Sequence, residues 1–487
     1  MIVRTRFAPS PTGELHIGGV RTLLYSYAFA KSRNGRLILR IEDTDRSRFV
    51  EGAQERLIST ANNLGITWDE GPDVGGEFGP YVQSERLELY KTHAMNLVSQ
   101  GHAYQCFCTA ERLETLREQQ VANKLPTRYD GHCRHLTKEQ INENLENNLP
   151  HVIRLKVPSN EEIIINDEVL GEIKINSNDI DDQVLIKSDG FPTYHMAVVV
   201  DDHLMEISHV IRGNDWLPST PKHILLYKAF GWEIPKYVHL PNLKELGSNS
   251  KLSKRSGAVF ADQFLVEGYL PEAIINFIML LGWNPGTEQE IFTLNEFCSA
   301  FSVEKIHKSD LIVFDREKLL WMNGVYIRNL SIEELFEKIL TWSSKYNSEL
   351  FDKLNVNSEI SLKIVSLLQE RIKTFSELEE LSSFLFEAPK IEKLTVQSFT
   401  GDLQRTKDAL NIIEEFISKD ESQILIQKED ELKAYFIDKN FKPKEFFMTL
   451  RYVVTGQTHT PPILEIIDII GIPETIKRIR YALELIQ

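Results

Sequence analysis

The spacing of apolar positions along the chain changes character several times, and each change marks a boundary. From the start to about residue 103, short apolar runs alternate with stretches of helical period. Ile2–Ala8 is β-rich, a loop broken by Pro9, Pro11 and Gly13 follows, and a helical run begins near Gly18 and carries Leu23, Leu24, Tyr27 and Phe29. Arg36–Glu42, with Leu37, Ile38, Leu39 and Ile41, has the unbroken apolar character of a strand buried in a parallel sheet. Helices are expected near 50–64 and 83–100. Strand and helix in alternation predict a doubly wound parallel sheet.

Between 104 and 188 the pattern turns to a polar helical run, Glu111–Gln120, and short alternating strands such as His151–Val157 and Glu161–Ile165. This is an α+β insertion. The nucleotide-fold pattern returns over 189–257: a turn, Asp189–His195, leads into a strand, Met196–Val200, closed by Asp201-Asp202-His203. A further strand, Met205–Arg212, and a helix from about Pro218 and Ser219 follow. Residues 258–330 are helical, with an apolar helix opened by Leu270-Pro271-Glu272 and stopped by Gly282. From Ser331 strand patterns nearly vanish. Ser331-Ile332-Glu333-Glu334 is a capping box, and Ile332, Leu335, Phe336, Ile339 and Leu340 form one helical stripe behind it. Similar stripes recur at Ile364–Ile372, Ala409–Ile417 and Phe446–Val454. The expected architecture is a Rossmann-type α/β domain in two halves, 1–103 and 189–257, split by the insertion at 104–188 and followed by helical regions at 258–330 and 331–487.

Composition narrows this picture. A chain of 487 residues with 42% hydrophobic residues can build several cores. The absence of an apolar run of about 18 residues and of a basic-apolar leader predicts a soluble protein that stays in the compartment where it is made. A net charge of −16 speaks against non-specific binding to nucleic acid or membrane, but not against a local basic groove. Four cysteines do not make a disulfide framework. Three of them cluster: Cys106-x-Cys108, then 24 residues, then Cys133-x-His135, a thiolate and imidazole set suited to tetrahedral Zn²⁺ in a structural role. His132 and Tyr129 are alternative fourth ligands, and buried thiols without metal are the plainer alternative. Cys298 reads as a buried helical thiol.

The chemistry concentrates in Arg6-Phe7-Ala8-Pro9-Ser10-Pro11-Thr12-Gly13-Glu14-Leu15-His16-Ile17-Gly18-Gly19. A strand, a tight loop and a helix N-terminus present backbone N–H groups to phosphate, and two glycines allow close approach. His16 can donate to a phosphate whose charge grows during displacement. A second basic loop, Lys251-Leu252-Ser253-Lys254-Arg255, is flanked by Gly247 and Gly257.

Together with Arg40-Ile41-Glu42-Asp43-Thr44-Asp45-Arg46, these stretches resemble the glutamyl-tRNA synthetases among the class I aminoacyl-tRNA synthetases. The first loop departs from the full HIGH signature, since Gly19 replaces the second histidine; the second is similar to the KMSKS loop. The resemblance implies an ATP site at Pro9, Ser10, Thr12, His16, Gly18, Gly19, Lys251, Ser253 and Lys254, with His16, Lys251 and Lys254 acting on the phosphates. It implies a glutamate pocket from Arg6, Ala8, Ser10, Glu42, Tyr194 and Arg212, in which Arg6 and Arg212 hold the side-chain carboxylate and Glu42 takes the amine. An ion pair of Arg212 with Asp215 or Asp202 is the competing reading. Where some members carry an amine-contacting asparagine after Tyr194, this chain has Val198.

The resemblance also implies an insertion that grips the tRNA acceptor end, with the zinc site of some bacterial members, and an all-α anticodon-binding region contacting RNA through Arg371, Arg451, Thr460 and Pro461. ATP with Mg²⁺, L-glutamate and tRNA(Glu) are the implied substrates and partners, in a cytoplasmic monomer. Glutaminyl-tRNA synthetase is the nearest alternative; it tends to carry PEPNG in place of Pro9–Gly13 and a β-barrel anticodon region. A non-catalytic RNA-binding relative is the alternative from another class.

Overall fold

A computed structural model describes residues 2–48, 50–248, 251–252, 260–418 and 428–486. The chain forms two compact units, Met1–Phe264 with Pro271–Arg316, and Leu265–Leu270 with Glu317–Gln487.

The first unit opens with β1 (Arg4–Phe7), α1 (Ile17–Lys31), β2 (Arg36–Leu39), α2 (Ala53–Asn63) and α3 (Leu87–Ser99). β1 and β2 are parallel, with Arg6 opposite Ile38. The insertion follows: β3 (Ala103–Cys106), α4 (Ala110–Ala122), α5 (Lys138–Glu146), β4 (Val152–Leu155), β5 (Glu162–Asp167), β6 (Gly171–Asn176) and β7 (Val184–Ile186). β3, β4 and β7 make a small antiparallel sheet. The chain then returns through α6 (Tyr194–Leu204), β8 (His209–Gly213), α7 (Thr220–Phe230), β9 (Lys236–Leu240) and β10 (Asn242–Glu245). β8 and β9 are parallel, with Arg212 opposite His239. The Ser208 N–H donates to Arg4 O at 3.0 Å, which sets the entry of β8 beside β1. α8 (Ala261–Val266), α9 (Pro271–Met279), α10 (Leu294–Ala300), with Cys298 buried on it, and β11 (Leu311–Phe314) follow; the end of α8 from Leu265 and all but the first residue of α11 (Arg316–Arg328) belong to the second unit.

One expectation is corrected. Met196–Val200 is not a strand but the centre of helix α6. All five residues are fully enclosed, at 0–1% exposure, so no polar face reveals the period, and the β-branched Val198-Val199-Val200 bias the reading towards strand. The following Asp201-Asp202 show why the helix wins. Asp201 accepts hydrogen bonds from Arg86, Gln83 and Tyr90, and Asp202 accepts from Arg6 and Arg40. In a strand, successive side chains point to opposite faces; in a helix, two adjacent carboxylates can enter one buried polar layer.

The second unit is helical. It runs through α12 (Ile332–Tyr346), α13 (Ser348–Asn355), α14 (Ser358–Leu368), α15 (Glu377–Phe386), α16 (Lys393–Ser398) and α17 (Leu403–Ser418), then α18 (Glu429–Asp438), α19 (Pro443–Thr455), α20 (Ile463–Ile470) and α21 (Ile472–Leu485). The Ser331 capping box is made: the Glu334 N–H donates to Ser331 Oγ at 3.2 Å, and the Ser331 N–H donates to Glu334 Oε2 at 3.0 Å. Ala409, Leu410, Ile413 and Ile417 of α17 pack with Phe446, Leu450 and Val453 of α19, as their stripes predict. Among the described residues, no helix is long and apolar enough to cross a membrane.

Candidate active site

The carboxyl ends of β1 and β8 open into a cavity of about 530 Å³ lined by Arg6, Ala8, Pro9, Ser10, Gly19, Glu42, Tyr194 and Arg212 among others. A second cavity, of about 230 Å³, holds His16, Gly18, Lys251 and Leu252. Gly19, Thr22, Gly213 and Trp216 line both, so the two adjoin. This is where ligands of open α/β sheets bind. Thr12 lines neither cavity; its N–H closes the loop on Ser10 O at 2.8 Å. Val198 is buried in the core of α6.

The two arginines of the first cavity differ in their partners. Arg6 Nε donates to Asp202 Oδ1 at 3.2 Å, and its Nη1 donates to Ile211 O at 3.4 Å. Arg40, fully buried, binds Asp202 at 2.7 Å and Glu42 at 2.9 Å. Burial would raise the Asp202 carboxyl, but Arg6 and Arg40 outweigh it and hold Asp202 below its ordinary value. For Glu42 burial wins, and its carboxyl is raised despite Arg40.

Arg212 is equally buried but has no carboxylate partner among the described residues, so neither the Asp215 nor the Asp202 pairing is formed. Its Nη2 donates to Thr220 Oγ1 at 2.7 Å, its Nε to His239 Nε2 at 3.1 Å, and its Nη1 lies 3.3 Å from His223 Nδ1 and 3.4 Å from Tyr194 Oη. Burial first, and then the Arg212 charge, push His223 well below its ordinary value, so it is neutral. Burial raises the Tyr194 phenol. Tyr194, expected in the turn before Met196, is the first residue of α6, and its ring lies 4.5 Å from Trp216.

At the nucleotide end, His16 is the N-cap of α1, and its Nδ1 accepts from the Gly18 N–H at 3.0 Å. That bond leaves the proton on Nε2. Lys251 Nζ lies 2.8 Å from Asp215 Oδ2 in an exposed ion pair. Ser253 and Lys254 lie outside the described residues.

In the insertion, the sulfurs of Cys106, Cys108 and Cys133 all lie within 4.8 Å of one another. Tyr129 Oη is 3.3 Å from Cys106 Sγ and 3.6 Å from Cys108 Sγ. His135 does not join this group. It sits two residues beyond Cys133 in a single 3₁₀ turn, His132–His135. At three residues per turn, a side chain two places on from a buried one points away. His132 and His135 are both exposed.

In the second unit, Arg371 is exposed and Arg451 half-buried. Burial and then the Arg371 charge lower Arg451, so the helical fold brings the two cations close. Thr460 and Pro461 are buried in the turn before α20.

Residue-by-residue reading of the sequence missed Trp216, His223, Thr220, His239 and Asp167. The only signal for Trp216 is its place four residues after Arg212. His239 meets Arg212 through the β8–β9 register, Thr220 and His223 through the packing of α7, and Asp167 of β5 reaches it only by way of His239.

Comparison with known proteins gives the class. Residues 2–321 match the family described as tRNA synthetases class I (E and Q), catalytic domain, and residues 334–483 match an anticodon binding domain. The sheet with its two adjoining cavities is thus a class I aminoacyl-tRNA synthetase catalytic domain, and the second unit contains the anticodon-binding helices.

The glutamate–tRNA ligase of Clostridium novyi is 44% identical over 492 residues, covering 99% of this chain and 98% of its own length. That of Clostridium tetani is 44% identical over 485 residues, covering 99% and 97%. A crystal structure of a glutamate tRNA ligase from Elizabethkingia meningosepticum, in complex with its amino acid, superposes with a TM-score of 0.92 at 35% identity, covering 100% of both chains. The chain belongs to the glutamate–tRNA ligase family.

Proposed function

We propose that this chain activates L-glutamate with ATP to glutamyl-adenylate and transfers the glutamyl group to the 3′ end of tRNA(Glu). The observation that carries the reading is Arg212: a buried guanidinium facing a cavity, held by neutral acceptors, whose charge awaits an anionic ligand. Arg212, with Tyr194 and Arg6, binds the side-chain carboxylate, and Glu42 takes the amine. An oxygen of the substrate's α-carboxylate attacks the α-phosphate of ATP and pyrophosphate leaves. His16 donates from Nε2 to the phosphates, and the ammonium groups of Lys251 and Lys254 offset charge on the leaving group. Pro9, Ser10, Gly18 and Gly19 bring backbone close to the ligands. No side chain acts as a covalent nucleophile; positioning and charge stabilisation supply the catalysis. Mg²⁺ accompanies ATP.

In the insertion, 104–188, Cys106, Cys108 and Cys133 hold a structural Zn²⁺. The contacts favour Tyr129 over His135 as the fourth ligand. Metal analysis is expected to find about one zinc per chain, as a closed structural site holds one ion, and Cys133→Ser to lose it. Arg371 and Arg451, with Thr460 and Pro461, contact the anticodon, where guanidinium groups donate to exposed base edges. The protein works as a cytoplasmic monomer.

Pyrophosphate exchange with the full-length protein, glutamate, ATP and tRNA tests the reading. Exchange with glutamate and none with glutamine is expected; exchange with glutamine alone would make the chain a glutaminyl enzyme, and exchange with neither would end the proposal.

A further inference from the structure

Arg212 is held by a relay whose far end is a carboxylate. Asp167 closes β5, and its Oδ1 accepts from the N–H groups of Val169 at 3.0 Å and Leu170 at 2.8 Å. Its Oδ2 accepts from the His239 N–H at 3.1 Å and lies 2.7 Å from His239 Nδ1. With three backbone N–H groups converging on it, Asp167 acts as acceptor at both oxygens, so His239 carries its proton on Nδ1. His239 Nε2 is left as an acceptor, and there the Arg212 Nε–H donates at 3.1 Å. The opposite tautomer would set a donor against Arg212 and a lone pair against Asp167. Parallel register puts the two residues side by side, Arg212 on β8 and His239 on β9.

The same logic runs on the other side of the guanidinium. If Arg212 Nη1 donates to His223 Nδ1, the His223 proton sits on Nε2, which lies 3.0 Å from His195 Nδ1. Arg212 is thereby clamped on two sides by imidazoles and below by Thr220, while Tyr194 faces the cavity with it. An aspartate directly on Arg212 would clamp it equally well and also neutralise it, as Asp202 does for Arg6. An imidazole between carboxylate and guanidinium passes on orientation while keeping the negative charge one side chain away.

We propose that Asp167 and His239 are positioning residues for amino-acid selection, orienting Arg212 through its Nε towards the substrate carboxylate without cancelling its charge. The proposal rests on the glutamate reading above.

The test uses the full-length protein and steady-state aminoacylation of tRNA(Glu) with glutamate or glutamine and ATP. His239→Leu removes the acceptor at similar bulk; His239→Gln restores an oxygen near the place of Nε2. Asp167→Asn must turn an NH₂ towards one pair of N–H donors. His239→Leu is expected to raise the glutamate KM roughly 5- to 150-fold, the range for one buried partner lost from a charged donor. The ATP KM should stay unchanged, the glutamate-to-glutamine ratio of kcat/KM should narrow, and His239→Gln should recover most of the loss. Asp167→Asn should act in the same direction as His239→Leu. A glutamate KM and ratio unchanged in His239→Leu, or a parallel shift of the glutamate and ATP constants, would overturn the proposal. If His239→Leu fails to fold, Asp167→Asn decides on the same two criteria. Arg212→Cys serves as the reference. A severe Arg212→Cys beside a silent His239→Leu sinks only the relay; a silent Arg212→Cys moves carboxylate recognition to Arg6 and removes the relay's premise, while the glutamate reading itself falls only if the wild type does not charge glutamate.

Discussion

The two walls of the main cavity use the same residue, a buried arginine near the end of a parallel strand, to different ends. On the β1–β2 wall, Arg6 and Arg40 face Asp202 and Glu42, and Arg86 faces Asp201. Three guanidinium groups meet three carboxylates there, and the charge closes on itself. On the β8–β9 wall, Arg212 meets His239, His223, Thr220 and Tyr194, and no carboxylate among the described residues pairs with it. A buried pair offsets much of its own desolvation, and removing one partner is costly; an unpaired charge is tolerated only if enough neutral acceptors surround it. On the reading proposed above, Arg6 belongs to the lattice of the site and Arg212 is its reader.

Breaking the first wall is expected to cost the most. Asp202→Asn leaves Arg6 and Arg40 with one buried partner fewer, and loss of one member of a buried pair costs about 3–5 kcal/mol. A denaturant midpoint measures it. A loss below about 1 kcal/mol, the scale of a single net hydrogen bond, would mean that packing rather than charge holds this wall.

On the second wall the effect falls on specificity instead. Glutamate and glutamine are nearly the same size, so charge must separate them. Arg212→Cys is expected to lower kcat/KM for glutamate by about 2–5 kcal/mol, or roughly 30-fold to several thousand-fold, and for glutamine much less. If the ratio survives, Arg6 is the reader despite its pairing with Asp202, and the two walls exchange roles.

The neutral wall should also show in the pH dependence of stability. Burial, with Lys222 and Arg212 adding to it, pushes His195 down to about 4, and His223 and His239 are lowered as well. Each binds its proton less readily folded than unfolded. Between the unfolded value of about 6.5 and the lowered folded values, the unfolded chain holds more protons, so stability falls as the pH falls. Each such proton contributes at most about 1.4 kcal/mol per pH unit. Melting temperatures at pH 7 and pH 5 for wild type and His195→Gln are expected to show a shallower loss in the variant. An identical slope would place the proton uptake elsewhere.

The smallest effect is expected where charge is paired but exposed. Asp215 and Lys251 form such a pair beside the second cavity. Asp215→Asn should change stability by no more than about 1 kcal/mol. If Lys251 must leave Asp215 to reach pyrophosphate, the variant should keep or improve the ATP KM. A strong loss would show that the pair holds the site open.

What the sequence determined by itself was whatever lies close along the chain. Pro9–Gly19 shows a strand, a broken loop and a helix start within one window, and the helix does begin at Ile17 with His16 as its cap. Ser331 and Glu334 are three residues apart, and their reciprocal bonds form as read. The stripes of α17 and α19 carry a period that only helices share. Such features depend on local geometry, which a sequence spells out.

Three things were decided only by the tertiary structure, and all depend on groups distant in sequence. Met196–Val200 is enclosed on every side, so it shows no period, and Asp201-Asp202 settle it as helix by meeting arginines from β1, the 3₁₀ turn before α3 and the segment after β2. Tyr129 stands against Cys106 and Cys108 where sequence spacing favoured His135, because one 3₁₀ turn rotates His135 outwards. Arg6 and Arg212 look alike in sequence, each an arginine near a strand end. Only the fold gives one an aspartate and the other a histidine, because burial makes the nearest acceptor decide whether a charge is spent inside the protein or kept for a ligand.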